Sequence, residues 1–179
     1  MGIRLITPPA VEPVTVNEMK AMLRVDFTDD DTVIAAYITS AREFIERRVQ
    51  SKLPSQTWEF LIDEFPEYEI RLPFGPVQSI SSIKYDDGEG LEQTVPAEDY
   101  QLDNTSPEPW VFTAVGWPTD VLDAFNAVRI RFVAGYSSSA LIPGSLRAAV
   151  ILKTKELYDG ENNTPAINDL ITNHYTMAV

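Results

Sequence analysis

The sequence predicts an α+β fold: a small helical bundle, two N-terminal helices and one C-terminal helix, with an inserted antiparallel β-sheet or small sandwich. Three observations predict it. Apolar residues spaced by three and four run through residues 34–49 and return at 146–157, a period of two occupies the stretch between them, and turn residues punctuate that stretch at short intervals. At 179 residues the chain fits one domain that buries over half of its unfolded surface. The expected organisation is a single domain over residues 1–160, comprising helices in 1–53, the β insertion in 54–142 and a helix in 143–160, followed by a tail over 161–179.

Thr15-Val16-Asn17-Glu18 has capping-box spacing, with Val14 and Met19 placed as a hydrophobic staple, so a first helix is expected from Val16 to about Val25. Asp29-Asp30-Asp31 supply carboxylates for the positive N-terminal end of a second helix, ending near Lys52. Its stripe is Ile34, Tyr37, Ile38, Ala41, Phe44, Ile45 and Val49, with Arg42, Glu43, Glu46 and Arg47 on the opposite, solvent-facing side. If that stripe faces the core, Phe44→Ala should cost about 3–5 kcal/mol.

From Ser55 the period becomes two, with Trp58, Phe60 and Ile62 alternating against Thr57, Glu59 and Leu61. Further strands are expected at residues 69–72, 79–85, 91–95, 100–102, 110–114 and 128–133, and Asp86-Asp87-Gly88-Glu89-Gly90 reads as a hairpin turn. A polar face on most of these short strands argues for antiparallel pairing. Pro143-Gly144-Ser145 opens a third helix, roughly Leu146 to Tyr158, which Gly160 closes.

The net charge is −13, and residues 53–142 hold most of it, 4 Lys and Arg against 15 Asp and Glu, a net of −11. Such a surface repels phosphate, so a protein that grips DNA is a poor expectation and one that must not adhere to passing DNA is allowed. Acid added for solubility explains the same count. The absence of cysteine removes disulfides, thiolate metal sites and cysteine nucleophiles, and fits a reducing cytoplasm. The first nine residues lack a signal-peptide apolar region, and the run Ala148–Leu152 is too short to span a bilayer, so no membrane partner is expected.

Catalytic signatures are not apparent. The single histidine is His174, and Gly88-Glu89-Gly90-Leu91-Glu92-Gln93 lacks the third glycine of a dinucleotide fingerprint. Counting back from Gly88 puts Tyr85 and Ile83 where a calcium loop needs oxygen ligands. Asp29-Asp30-Asp31 could hold a divalent ion, but helix capping and the dipole account for them. Trp58, Trp110 and Trp117 could stack sugars or bases, although core or rim packing is the commoner use. Catalytic residues, metal and cofactor are all expected to be none.

One ordered set of short motifs carries more. Pro8-Pro9-Ala10 with Glu12-Pro13-Val14-Thr15 is followed by Ala41-Arg42-Glu43-Phe44-Ile45-Glu46, then Gln56-Thr57-Trp58, Leu72-Pro73 and Pro76-Val77-Gln78-Ser79-Ile80. Ile83-Lys84-Tyr85, Trp117-Pro118, Ala127-Val128, Ala134-Gly135-Tyr136 and Pro143 complete it. The set resembles the head-tail connector (adaptor) family of tailed bacteriophages. That resemblance implies a non-enzymatic virion neck protein, assembled in the host cytoplasm: a homo-oligomeric ring of about twelve copies beneath the portal protein, docking a tail-side neck protein, with DNA passing through unbound. At Tyr158-Asp159-Gly160-Glu161-Asn162 the chain departs from the aromatic, Asn and Arg common in related chains. Another neck or tail-completion protein, a DNA-packaging accessory and an acidic hydrolytic domain are the alternatives.

Within the tail, Ile167, Leu170, Ile171 and Tyr175 recur on one side of a segment too short to be a stable helix alone. They are the expected partner interface, ordering against a neighbouring subunit or the portal, with folding back on the chain's own sheet as the alternative.

Overall fold

The computed structural model describes residues 1–105 and 108–177, the side chains of 173–177 excepted. Among the described residues there are four helices and eight strands in two antiparallel sheets, the α+β class that the sequence predicts. The chain divides into two units: a sheet unit, Met1–Pro9 with Ser55–Gly135, and a helical unit, Ala10–Pro54 with the chain from Tyr136 onward.

In the helical unit, α1 (Val16–Leu23) begins with the expected reciprocal cap. Thr15 Oγ1 accepts the Glu18 N–H at 3.2 Å and Glu18 Oε2 accepts the Thr15 N–H at 2.8 Å. Val14 and Met19 are both buried, as a staple requires. Helix α2 (Asp31–Val49) starts differently from expectation, since Asp30 at its N-cap makes no side-chain cap bond. Asp30 Oδ2 instead accepts from the Tyr158 hydroxyl at 2.6 Å, and Asp31 Oδ1 accepts from Lys20 Nζ at 2.7 Å. These carboxylates fasten α2 to its neighbours. Helix α3 (Gly144–Asp159) closes at Gly160, whose φ of 74° is open to glycine without a Cβ penalty and whose N–H reaches Glu156 O. Helix α4 (Thr164–Met177) follows. Ile34, Ile38, Ala41, Ile45 and Leu146, Ala149, Val150 make one core.

The sheet unit starts with β1 (Gly2–Thr7), absent from the expected strands. Next come β2 (Gln56–Ile62), β3 (Glu69–Arg71), β4 (Val77–Asp86), β5 (Glu92–Thr94), β6 (Tyr100–Asp103), β7 (Trp110–Thr113) and β8 (Val128–Ala134). The larger sheet runs β1-β2-β8-β4-β5 and the smaller β3-β7-β6. In central β8, Val128, Ile130, Phe132 and Ala134 are buried while Arg129 and Arg131 point the other way, the period of two at work. Ile70 and Val111 of the smaller sheet join the same core as Ile83, Ile130 and Phe132. The expected hairpin turn links β4 to β5, with Asp87 Oδ1 accepting the Glu89 and Leu91 N–H groups at 3.0 and 2.9 Å.

Candidate functional site

The expected interface residues lie on α4, and the helix turns its apolar side inward. Ile167 is 1% and Ile171 7% exposed within the helical core, and Leu170 packs against it half-buried. Tyr175 is on the same helix, its side chain outside the described residues. The segment is therefore a core helix rather than a free tail, because α3 supplies the apolar surface it lacks alone. Its start is held from α3 as well. Glu156 Oε2 accepts the Asn163 N–H at 2.9 Å, Asn162 Oδ1 accepts the Thr164 N–H at 3.0 Å, and Pro165 occupies the first turn, where no N–H is needed. The Lys153 ammonium bonded to Glu156, and then that Asn163 N–H, outweigh desolvation and hold the Glu156 carboxyl below its ordinary range.

On α2 part of the polar face is covered. Arg42 and Glu46, expected on its solvent face, are 5% and 3% exposed. The segment before α1 covers them: Arg42 Nε donates to Glu12 Oε2 at 2.8 Å and its Nη1 to Glu46 Oε2 at 3.2 Å, while Thr39 donates to Glu12 Oε1 at 2.9 Å. Glu46 Oε1 also accepts the Leu53 N–H at 3.0 Å, and Lys52 Nζ stands 3.8 Å from Glu46 Oε2. Burial pushes the Lys52 ammonium pKa down. Such charges are held by their mutual pairing, and removing one leaves another buried without compensation.

In the sheet unit, the face of β8 opposite the core carries a charge ladder. Glu59 sits between Arg131, at 2.8 Å, and Arg4, which also bonds it. Arg129 forks onto both oxygens of Asp86 at 2.8 and 2.6 Å, and Glu92 takes both Arg129 and Lys84. Burial works to raise the Glu59 carboxyl, but the hydrogen bonds and charges of Arg131 and Arg4 more than cancel it, leaving it below the ordinary range. With Arg71 on Glu69 and Glu108, all five Lys and Arg of this unit are engaged by carboxylates. The same unit has 15 Asp and Glu, a net of −10.

The surplus acid borders a groove of about 990 Å³ between the segment following β2 and residues 116–125. Phe65 and Trp117 stack in it with centroids 5.1 Å apart and planes 2° from parallel, and Trp117 Nε1 donates to the Tyr68 carbonyl at 2.8 Å. Phe125 stands at the rim 89% exposed. Asp63, Glu64, Glu67 and Asp123 line the same groove, and no Lys or Arg does. Sequence inspection placed Trp117 in packing or stacking, but only the fold brings it to Phe65 and to these carboxylates. Among the described residues, no cluster of three or more His, Cys, Asp or Glu side chains is arranged to hold a metal ion.

This two-unit fold is that of chains in gene transfer agent (GTA) particles. It matches a chain in the neck of the empty GTA particle computed with C6 symmetry, at TM-score 0.79 and 22% identity, covering 97% of this chain and 94% of the other. The virion of the native GTA particle gives 0.81 at 22%, and the neck of the native particle computed with C12 symmetry 0.75 at 23%, with the same coverage. At that identity the likeness establishes the fold. No curated protein matches the sequence. The phage gp6-like head-tail connector family matches residues 13–108, over half of the chain, and the chain belongs to that family.

Proposed function

We propose that about twelve copies of this chain form a ring under the portal of a tailed phage or phage-like particle, extending the DNA channel and docking the next neck or tail component without catalysing a reaction. Membership in the connector family carries this reading, and a fold shared along 97% of the chain with a protein of a C12-symmetric neck supports the ring. The electrostatics agree with passage rather than grip. Each copy carries −13, and the cations of its sheet unit are already committed to carboxylates, so phosphates meet little that could release their counterions.

Deletion of the gene tests the role. Heads should package DNA and then lose it or fail to join tails, and the chain should copurify with DNA-filled, tailless capsids. Normal infectious particles from the deletion would overturn the proposal.

A further inference from the structure

The groove of the sheet unit has properties that packing and solubility do not require. The wall that carries Phe125 is fixed by its backbone. The Asn126 N–H donates to Asp63 Oδ1 of the other wall at 2.9 Å, the Leu122 N–H to Asp86 O at 2.9 Å and the Ala124 N–H to Leu122 O at 2.8 Å. Phe125 is therefore held outward, 89% exposed, in the same groove as the Phe65–Trp117 stack. Tyr68 and Val115, each next in sequence to a lining residue, are 72% and 71% exposed, so apolar surface continues beyond the rim. Contiguous exposed apolar surface of this kind marks interaction sites.

The groove also carries one sign of charge. Asp63 lies 4.0 Å from the N-terminal ammonium and Glu67 accepts from the Tyr68 hydroxyl, while the Glu64 and Asp123 side chains have no partner among the described residues. The cations of this unit are committed elsewhere: Arg4 and Arg131 to Glu59, Arg129 and Lys84 to Asp86 and Glu92, and Arg71 to Glu69 and Glu108. Two bare carboxylates thus stand in one groove with an open aromatic ring. A guanidinium answers both at once, laying its plane on a ring while its edge bonds an acid, and it sheds water more readily than the compact, strongly hydrated ammonium. A second copy is a poor source of that group, because it brings −13 into the same field and −10 of it lies on its sheet unit. A basic segment of a different protein is drawn in by that field instead.

We infer that the groove is a docking site for an extended, arginine-bearing segment of another protein, with an apolar residue beside the arginine covering Phe125. The inference concerns the sheet unit alone and does not depend on the ring proposed above. Titrating the isotope-labelled full chain with an acetylated and amidated peptide of sequence Gly-Arg-Leu-Arg-Gly, followed by NMR, tests it. The Trp117 indole and the Gly116 and Ala124 amides should move together and saturate at millimolar peptide. Citrulline in place of both arginines keeps their shape without the charge and should abolish the shifts, and lysine should weaken binding several-fold. Glu64→Gln combined with Asp123→Asn should weaken it about tenfold, and Phe125→Ala about fivefold, with each variant melting within a few degrees of the parent. No saturable shift by about 10 mM peptide, an equal response to the citrulline or lysine peptide, or unchanged affinity in the variants would overturn the inference. Groove signals that move on concentrating the chain without peptide would overturn it too, by making a second copy the occupant. The connector reading is tested separately by the gene deletion, whose outcome none of these results alters.

Discussion

Phe44 and Ile45 are adjacent on α2 and have different surroundings. Ile45 is fully buried among the helical core residues, whereas Phe44 packs at its edge with the Lys153 ammonium 4.5 Å from its ring centre. Ile45→Ala should therefore cost about 2–5 kcal/mol, and Phe44→Ala about 1–2 kcal/mol, less than the figure for a fully buried ring. Chemical denaturation of the two variants checks the order. Glu59 makes a pH prediction. Its folded pKa is lower than the ordinary value of 4.5, so the stabilisation is fully present above that value and is lost as pH falls through the folded one. Thermal midpoints followed downward from pH 5 should fall, and Glu59→Gln should fall less steeply.

At the scale of elements, α4 is the most informative. Residues 161–179 read as a tail because fourteen helical residues with a weak stripe do not persist alone. Two isoleucines of that stripe are nonetheless buried in the core that α2 and α3 share, each worth about 1.5–3 kcal/mol of apolar burial. Truncation after Gly160 should therefore lower stability by several kcal/mol, measured as a large loss of thermal midpoint or outright unfolding of the helical unit. A midpoint unchanged within a few degrees would show that the helix contributes little. Strand β1 was illegible for a related reason. Five of its six residues are exposed, so it carries no burial alternation, and its ladder comes from β2, whose paired residues lie 50 to 59 positions further along the chain.

For the whole molecule, the decisive quantity is where the charge lies. The sheet unit carries −10 of the −13 and pairs all of its cations internally. The full chain should give no shift of duplex DNA in a gel at low salt, where phosphate contacts are strongest. A retarded band that salt abolishes would instead support a DNA-packaging accessory.

The sequence by itself determined what depends on neighbours along the chain: the Thr15–Glu18 cap, the Gly160 stop, the core stripe of α2, seven of the eight strands and the turn at Asp87. These follow from backbone hydrogen bonding and side-chain period, which a few consecutive residues express. Only the tertiary structure decided which surfaces would be covered. Arg42 and Glu46 became interior because Glu12 and the Leu53 amide came to meet them, Ile167 and Ile171 because a core was there to receive them, and the aromatic groove gained its acid rim because two distant segments of the sheet unit converge. Burial is set by what else arrives at a site, and a single segment carries no record of its distant partners.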